Sequence, residues 1–202
     1  TAGDVNGDGY SDVITSGGFI FFGGAAMNND VDVILYGGPV STAGDVNGDG
    51  YDDVIVGAGG ADAHIFYGGG FMDNIPDVLI STESIYDFQV SDAGDVNGDG
   101  FSDVIVGNAA AGLFSVGKAF IYFGGINMDN IADITMVGTD NFAYFGYRVS
   151  SAGDVNNDGY SDVIVGSWKL KTFLYFGGSS MDNIPDEIMA TDGSWGSPPD
   201  HS

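Results

Sequence analysis

The sequence predicts an all-β fold, a β-propeller built of four blades of ~50 residues each. Three observations carry that prediction. A set of three motifs occurs four times, in the same order, along 202 residues. Each copy holds short β-branched and aromatic runs bounded by Gly, Asn, Asp and Pro, which are strand signals. No segment of ~10 or more residues between these breakers shows helical periodicity.

The first motif is an acidic loop. Asp4-Val-Asn-Gly-Asp-Gly-Tyr-Ser-Asp12 recurs as Asp45 to Asp53, Asp95 to Asp103 and Asp154 to Asp162, with 41, 50 and 59 residues between successive first aspartates. The second motif reads Phe19-Ile-Phe-Phe-Gly-Gly24, and returns ending at Gly69, Gly125 and Gly178. The third is Met27-Asn-Asn-Asp-Val-Asp32, returning as Met72 to Asp77, Met128 to Asp133 and Met181 to Asp186. In the second unit the expected strands are 53–57, 64–67 and 77–80, with 88–91 leading into the next loop. Pro76 and Pro185 stand just before a strand, where a missing N–H is tolerated.

One four-stranded sheet cannot bury both of its faces, so the units must stack. The aromatics of the second motif are expected between blades, and Met27, Met72, Met128 and Met181 in the core. The 35 glycines serve tight turns and close backbone approaches. Residues 1–202 read as one propeller domain or a fragment of one, with approximate repeats 1–41, 42–91, 92–150 and 151–202. The units differ in length mainly in the link between their first two strands, short at 16–18 and long at 108–118, which marks a variable rim.

Blade number stays open between a four-bladed ring and part of a larger propeller. Thr1-Ala-Gly-Asp4 matches Thr42-Ala-Gly-Asp45, so the first unit lacks the strand before its loop. The tail from Thr191 resembles 139–150 and would supply that strand, although Pro198 and Pro199 each remove a ladder donor. A second chain pairing along open blade edges is the other way to complete a ring.

The loop spacing D-x-N-x-D-G-x-x-D offers side-chain oxygens at positions one, three, five and nine and a carbonyl at position seven. That set suits Ca²⁺, which takes oxygen ligands only. The expected ligands are Asp4, Asn6, Asp8, Tyr10 and Asp12; Asp45, Asn47, Asp49, Tyr51 and Asp53; Asp95, Asn97, Asp99, Phe101 and Asp103; and Asp154, Asn156, Asp158, Tyr160 and Asp162. About four ions are expected. Mg²⁺ fits less well because it demands strict octahedral geometry. A solvated acidic turn is the competing reading, but carboxylates held together repel unless a cation sits among them. An EF-hand is excluded: position twelve is Thr15, Val56, Val106 and Val165 rather than Glu, and a β-run follows instead of a helix. Position four is glycine except for Asn157, which tolerates a left-handed conformation.

This loop, set between a Phe-Gly strand such as Tyr144-Phe-Gly-Tyr-Arg-Val-Ser150 and a Gly-Ala-x turn such as Gly57-Ala58-Gly59, resembles the FG-GAP repeat of the integrin α-subunit propeller and its bacterial relatives. The resemblance covers essentially the whole chain. The Phe-Gly pair is degenerate at Tyr36-Gly-Gly and Asp87-Phe-Gln, and the Gly-Ala turn becomes Gly107-Asn-Ala and Gly166-Ser-Trp. The resemblance implies a propeller, usually of seven blades, in extracellular adhesion or ligand recognition.

Composition narrows the function. With 4 Lys+Arg against 29 Asp+Glu, the net charge of −25 excludes a nucleic-acid binder. Twelve of the 29 acids are the loop aspartates; the other 17 read as solvated surface. The absence of cysteine excludes disulfides and thiolate sites, and no apolar run approaches the ~18 residues of a membrane span. A 44% hydrophobic content excludes general disorder. An enzyme is not expected: there is no G-x-S-x-G, and His64, His201, Glu83 and Glu187 have no motif around them.

The expected function is thus a calcium-binding extracellular module for adhesion or ligand recognition, with calcium mainly structural. The alternatives are a subunit of a surface filament and a non-catalytic propeller attached to a hydrolase. A protein or carbohydrate ligand would meet the variable rim, where Trp168 and Lys169, beside Lys171, are the candidate contacts.

Overall fold

The structure, a computed structural model, describes residues 1–58, 62–82 and 88–190. Glu83, His201 and the tail expected to complete the first unit lie outside the described residues. The architecture is all-β, with four antiparallel sheets of the propeller-blade kind. β1 (Val13–Thr15), β2 (Phe19–Phe21) and β3 (Val33–Ile34) form the first, three-stranded blade. The second holds β4 (Val40–Gly44), β5 (Asp53–Gly57), β6 (Asp62–Phe66) and β7 (Val78–Ser81). The third holds β8 (Phe88–Gly94), β9 (Asp103–Asn108), β10 (Lys118–Tyr122) and β11 (Ile134–Val137). The fourth holds β12 (Arg148–Gly153), β13 (Asp162–Gly166), β14 (Lys171–Tyr175) and β15 (Glu187–Ala190). Strand order follows chain order in every sheet, as expected of short hairpin connections.

Alternation explains why these runs are strands. β5 is buried throughout, and successive side chains point to opposite faces. Val54 and Val56 join a core with Ala2, Val5, Ile20 and Leu35 of the first blade. Ile55 between them joins Val90, Val104 and Val106 of the third. A third core sets Ala93, Ile105 and Ile121 against Val163, Val165 and Tyr175. The second-motif aromatics Phe66, Phe120, Tyr122 and Tyr175 lie in these layers, as expected. Three cores therefore hold four blades in a row, β4 against β8 and β8 against β12. Among the described residues no core joins the first blade to the fourth.

β4, β8 and β12 each carry a register shift just before the acidic loop, ending at Gly44, Gly94 and Gly153. Such a bulge bends the strand and re-aims the chain. The long link 108–118 contains a 3₁₀ turn, Leu113–Ser115, that strand patterning did not anticipate.

The methionines need one correction. Met72, Met128 and Met181 each pack on the core toward the preceding blade, but Met27 is 49% exposed. The first blade has no predecessor among the described residues for Met27 to pack on.

Candidate functional site

Each acidic loop folds around its own first carboxylate. Glycines at positions four and six turn the chain left-handed, as at Gly48 (φ 77°) and Gly50 (φ 91°). The amides that follow then point inward. Asp45 accepts the N–H groups of Gly48 at 2.7 Å, Asp49 at 3.1 Å and Gly50 at 2.9 Å. Asn47 Oδ1 accepts Asp49 N–H at 2.8 Å, and Asp49 Oδ1 accepts Tyr51 N–H at 3.0 Å. The loops at Asp4, Asp95 and Asp154 repeat these bonds from positions five, six and seven. Asn157 takes φ 61°, so the fourth loop keeps its shape without glycine at position four.

The ninth position behaves differently. Asp12, Asp53, Asp103 and Asp162 are fully buried beneath their loops. One oxygen of each accepts the position-two N–H: Val5 at 2.9 Å, and Val46, Val96 and Val155 at 2.8 Å. The other accepts the first N–H of the Gly-Gly pair: Gly23 at 2.6 Å, and Gly68, Gly124 and Gly177 at 2.8 Å. This aspartate thus staples the loop to the second motif. Burial pushes the carboxyls of Asp53 and Asp103 up to about 7 against the lowering effect of those N–H bonds. The charges at Asp49 and Asp45, and at Asp99 and Asp95, push the same way. Burial also raises Asp12.

The structure therefore gathers positions one, three and five at the exposed tip and sets position nine beneath them. At position seven the N–H is used inside the loop, and the rings of Tyr51, Phe101 and Tyr160 lie over the preceding loop's Gly7, Gly48 and Gly98. Among the described residues no three acidic or histidine side chains stand as a ready-made metal cluster. In every loop the third-position amide Nδ2 donates to the fifth-position carboxylate, at 2.8–3.2 Å. The donor atoms are all oxygens, and the side chains of Lys118, Arg148, Lys169 and Lys171 lie at the far ends of the strands or in the links there. Such a set fits a hard divalent cation.

Seven acids read from sequence as unassigned surface also have work in the fold. Asp32, Asp77, Asp133 and Asp186 accept N–H groups of Phe22, Tyr67, Phe123 and Phe176, each ten residues earlier, at 2.7–2.8 Å. Asp73, Asp129 and Asp182 cap the turn of the third motif. The fixed spacing from aromatic to aspartate was the available signal.

At the opposite rim, Trp168 is 62% exposed and meets the Tyr147 ring edge-on at 5.0 Å. Arg148 lies 4.5 Å above Tyr147. Lys169 Nζ donates to the Asn141 carbonyl at 2.7 Å, so its ammonium is tied to the neighbouring link. Lys171 pairs with Asp140 at 2.8 Å and holds that carboxyl below its usual range. Phe114 meets Phe142 at 5.9 Å, which joins the links 108–118 and 138–147. Leu113, Phe114, Phe142, Trp168 and Leu170 are all exposed there.

A family model described as FG-GAP repeat matches residues 37–71, 89–122 and 145–167. Each range contains one acidic loop; the first loop lies outside them, though it makes the same bonds. Integrin alpha-5 of Xenopus laevis is 26% identical over 89 residues, which is 41% of this chain and 8% of that protein. The chain thus corresponds to a small part of that relative's length.

Proposed function

Taking as premise that the chain carries FG-GAP repeats and resembles the integrin α-subunit, we propose that it is an extracellular recognition module stabilised by calcium. The observation that carries this reading is the fourfold loop, in which the same oxygen-bearing side chains recur in the same turn with no cationic side chain among them. Side-chain oxygens of positions one, three and five would hold each ion, with position nine and the position-seven carbonyl completing the set. Bound calcium supplies charge neutralisation, and the chain supplies a turn already shaped by its own backbone bonds.

Extracellular fluid holds calcium at ~1 mM, and extracellular modules bind it at ~0.1–1 mM. At a dissociation constant near 0.1 mM each ion adds ~1.4 kcal/mol. Recognition falls to the opposite rim, whose exposed aromatics and nearby cations suit a protein or carbohydrate ligand at the cell surface. The role is binding rather than catalysis.

Calorimetric titration of the chelator-treated protein tests the metal. About four sites filling with release of heat is the expected result; no binding at millimolar calcium would refute the reading. Glycan and cell-surface protein arrays test the rim, with Trp168→Ala as the loss-of-binding control.

A further inference from the structure

The first three acidic loops share a dipeptide that the fourth lacks. Positions three and four are Asn6-Gly7, Asn47-Gly48 and Asn97-Gly98, and the chain holds no other Asn-Gly pair. In the fourth loop Asn156 is followed by Asn157. An asparagine before a glycine is open to attack from within the chain. The backbone nitrogen of the glycine reaches the side-chain carbonyl carbon and closes a five-membered ring, with no Cβ in the way.

The loop geometry supplies the approach. Oδ1 of each of these asparagines accepts the position-five N–H, at 2.9 Å in the first loop and 2.8 Å in the second and third. Such an Asx turn folds the side-chain carbonyl back over the next residue, which carries the attacking nitrogen. The three glycines are exposed and the asparagines half-buried, so water reaches each pair. The pairs differ in how the attacking nitrogen is held. Gly48 and Gly98 donate their N–H groups to Asp45 and Asp95 at 2.7 Å. In the first loop Asp4 takes the N–H groups of Asp8 and Gly9, and Gly7 N–H has no acceptor among the described residues. A charge-assisted bond must break before a nitrogen so held can turn and give up its proton.

We propose that Asn6, Asn47 and Asn97 are sites of spontaneous deamidation, that Asn6 reacts first, and that Asn157 exempts the fourth loop. Gly7 N bonds to Asn6 Cγ, the Cγ–Nδ2 bond breaks, and the proton from Gly7 N leaves with Nδ2 as ammonia. The cyclic imide then takes up one water. Breaking the new N–Cγ bond leaves aspartate. Breaking the original peptide bond leaves isoaspartate, whose backbone runs through the side chain and is one methylene longer. The net change is one water in and one ammonia out, with no oxidation. Aspartate adds a charge to a tip that already holds Asp4 and Asp8. On the calcium reading it tightens the site, because ligand charge tunes affinity. Isoaspartate shifts the amides that the position-one carboxylate collects, and undoes the turn. Three of the four loops thus carry a built-in ageing reaction.

The test incubates the folded chain in warm, mildly alkaline buffer, with and without millimolar calcium, and follows each loop by peptide mass spectrometry. Circular dichroism checks that the fold is kept. The mass gain of deamidation should come first at Asn6 and later at Asn47 and Asn97, and Asn156 should lag by an order of magnitude. N157G creates an Asn-Gly pair in the fourth loop and should bring Asn156 level with the others. Asn157 already has φ 61°, which glycine adopts readily, so this variant should fold. Three results would each overturn the proposal: Asn156 of the wild type reacting as fast as the Asn-Gly pairs, equal rates at Asn6, Asn47 and Asn97, or no gain at Asn156 in N157G. Rates are compared between loops of one molecule, so the outcome stands apart from whether calcium binds.

Discussion

The two ends of the blades are built on different principles. At one end the four acidic loops and third-motif turns repeat nearly the same carboxylate–amide bonds. At the other, the links 108–118, 138–147 and 167–170 differ in length, and all four positively charged side chains lie there. The repeated end is specified by hydrogen bonds that tolerate little change, because the first- and ninth-position carboxylates of each loop satisfy two or three amides at once. The varied end is held by backbone bonds between links, such as Phe142 N–H to the Phe114 carbonyl and Tyr144 N–H to the Ser115 carbonyl, and by ring contacts, which leave its exposed side chains free to follow a ligand. Stability should therefore reside at the first end and recognition at the second.

Four experiments would break or sharpen that division. The largest effect is expected from chelation. Removing four ions at ~1.4 kcal/mol each costs ~6 kcal/mol and should lower the melting temperature by on the order of 15 °C. Scanning calorimetry with and without chelator reads it, and an unchanged transition would end the structural role of calcium. Next comes Asp103→Ala, which strands the buried N–H groups of Val96 and Gly124. Its expected cost is ~2–4 kcal/mol by denaturant unfolding, even in chelator. A cost confined to calcium-containing buffer would make this residue a metal ligand alone, not a staple.

A third test is pH. Asp53 and Asp103 titrate near 7 when folded and at the ordinary carboxylate value when unfolded. Between those values the folded, calcium-free chain binds more protons than the unfolded one, so its stability rises as pH falls from 8 to about 5. Melting in chelator across that range should show the rise, and bound calcium should flatten it. The smallest effect is expected at the varied end. Trp168→Ala should change stability by no more than ~0.5 kcal/mol while removing ligand binding. A large loss of stability there would place Trp168 in the fold rather than in recognition.

What was legible in the sequence was local. The spacing from Asp45 to Asp53 states its own turn, because the bonds that shape it join residues two to seven apart. The stapling of Asp53 to Gly68 was not legible, since nothing in either motif says that they meet. Junction contacts such as Tyr51 over Gly7 were hidden for a stronger reason. They link one repeat to the next, and a repeated pattern looks the same whether its copies touch or not. Met27 shows the consequence. It shares its motif position with Met72, Met128 and Met181, and its exposure follows from its place in the row. The ring contacts between the links 108–118 and 138–147 lay beyond pattern reading altogether, because those links share no repeat.

The sorting of charge between the two ends makes the molecule a strong electric dipole. Near a polyanionic layer, such as a coat of acidic glycans, the net charge of −25 would repel the molecule, while the torque on that dipole would turn the acidic loops away and Trp168, Arg148 and the lysines toward the layer. Salt that screens charge over ~10 Å would weaken both the repulsion and the torque, so approach would speed up while orientation loosened.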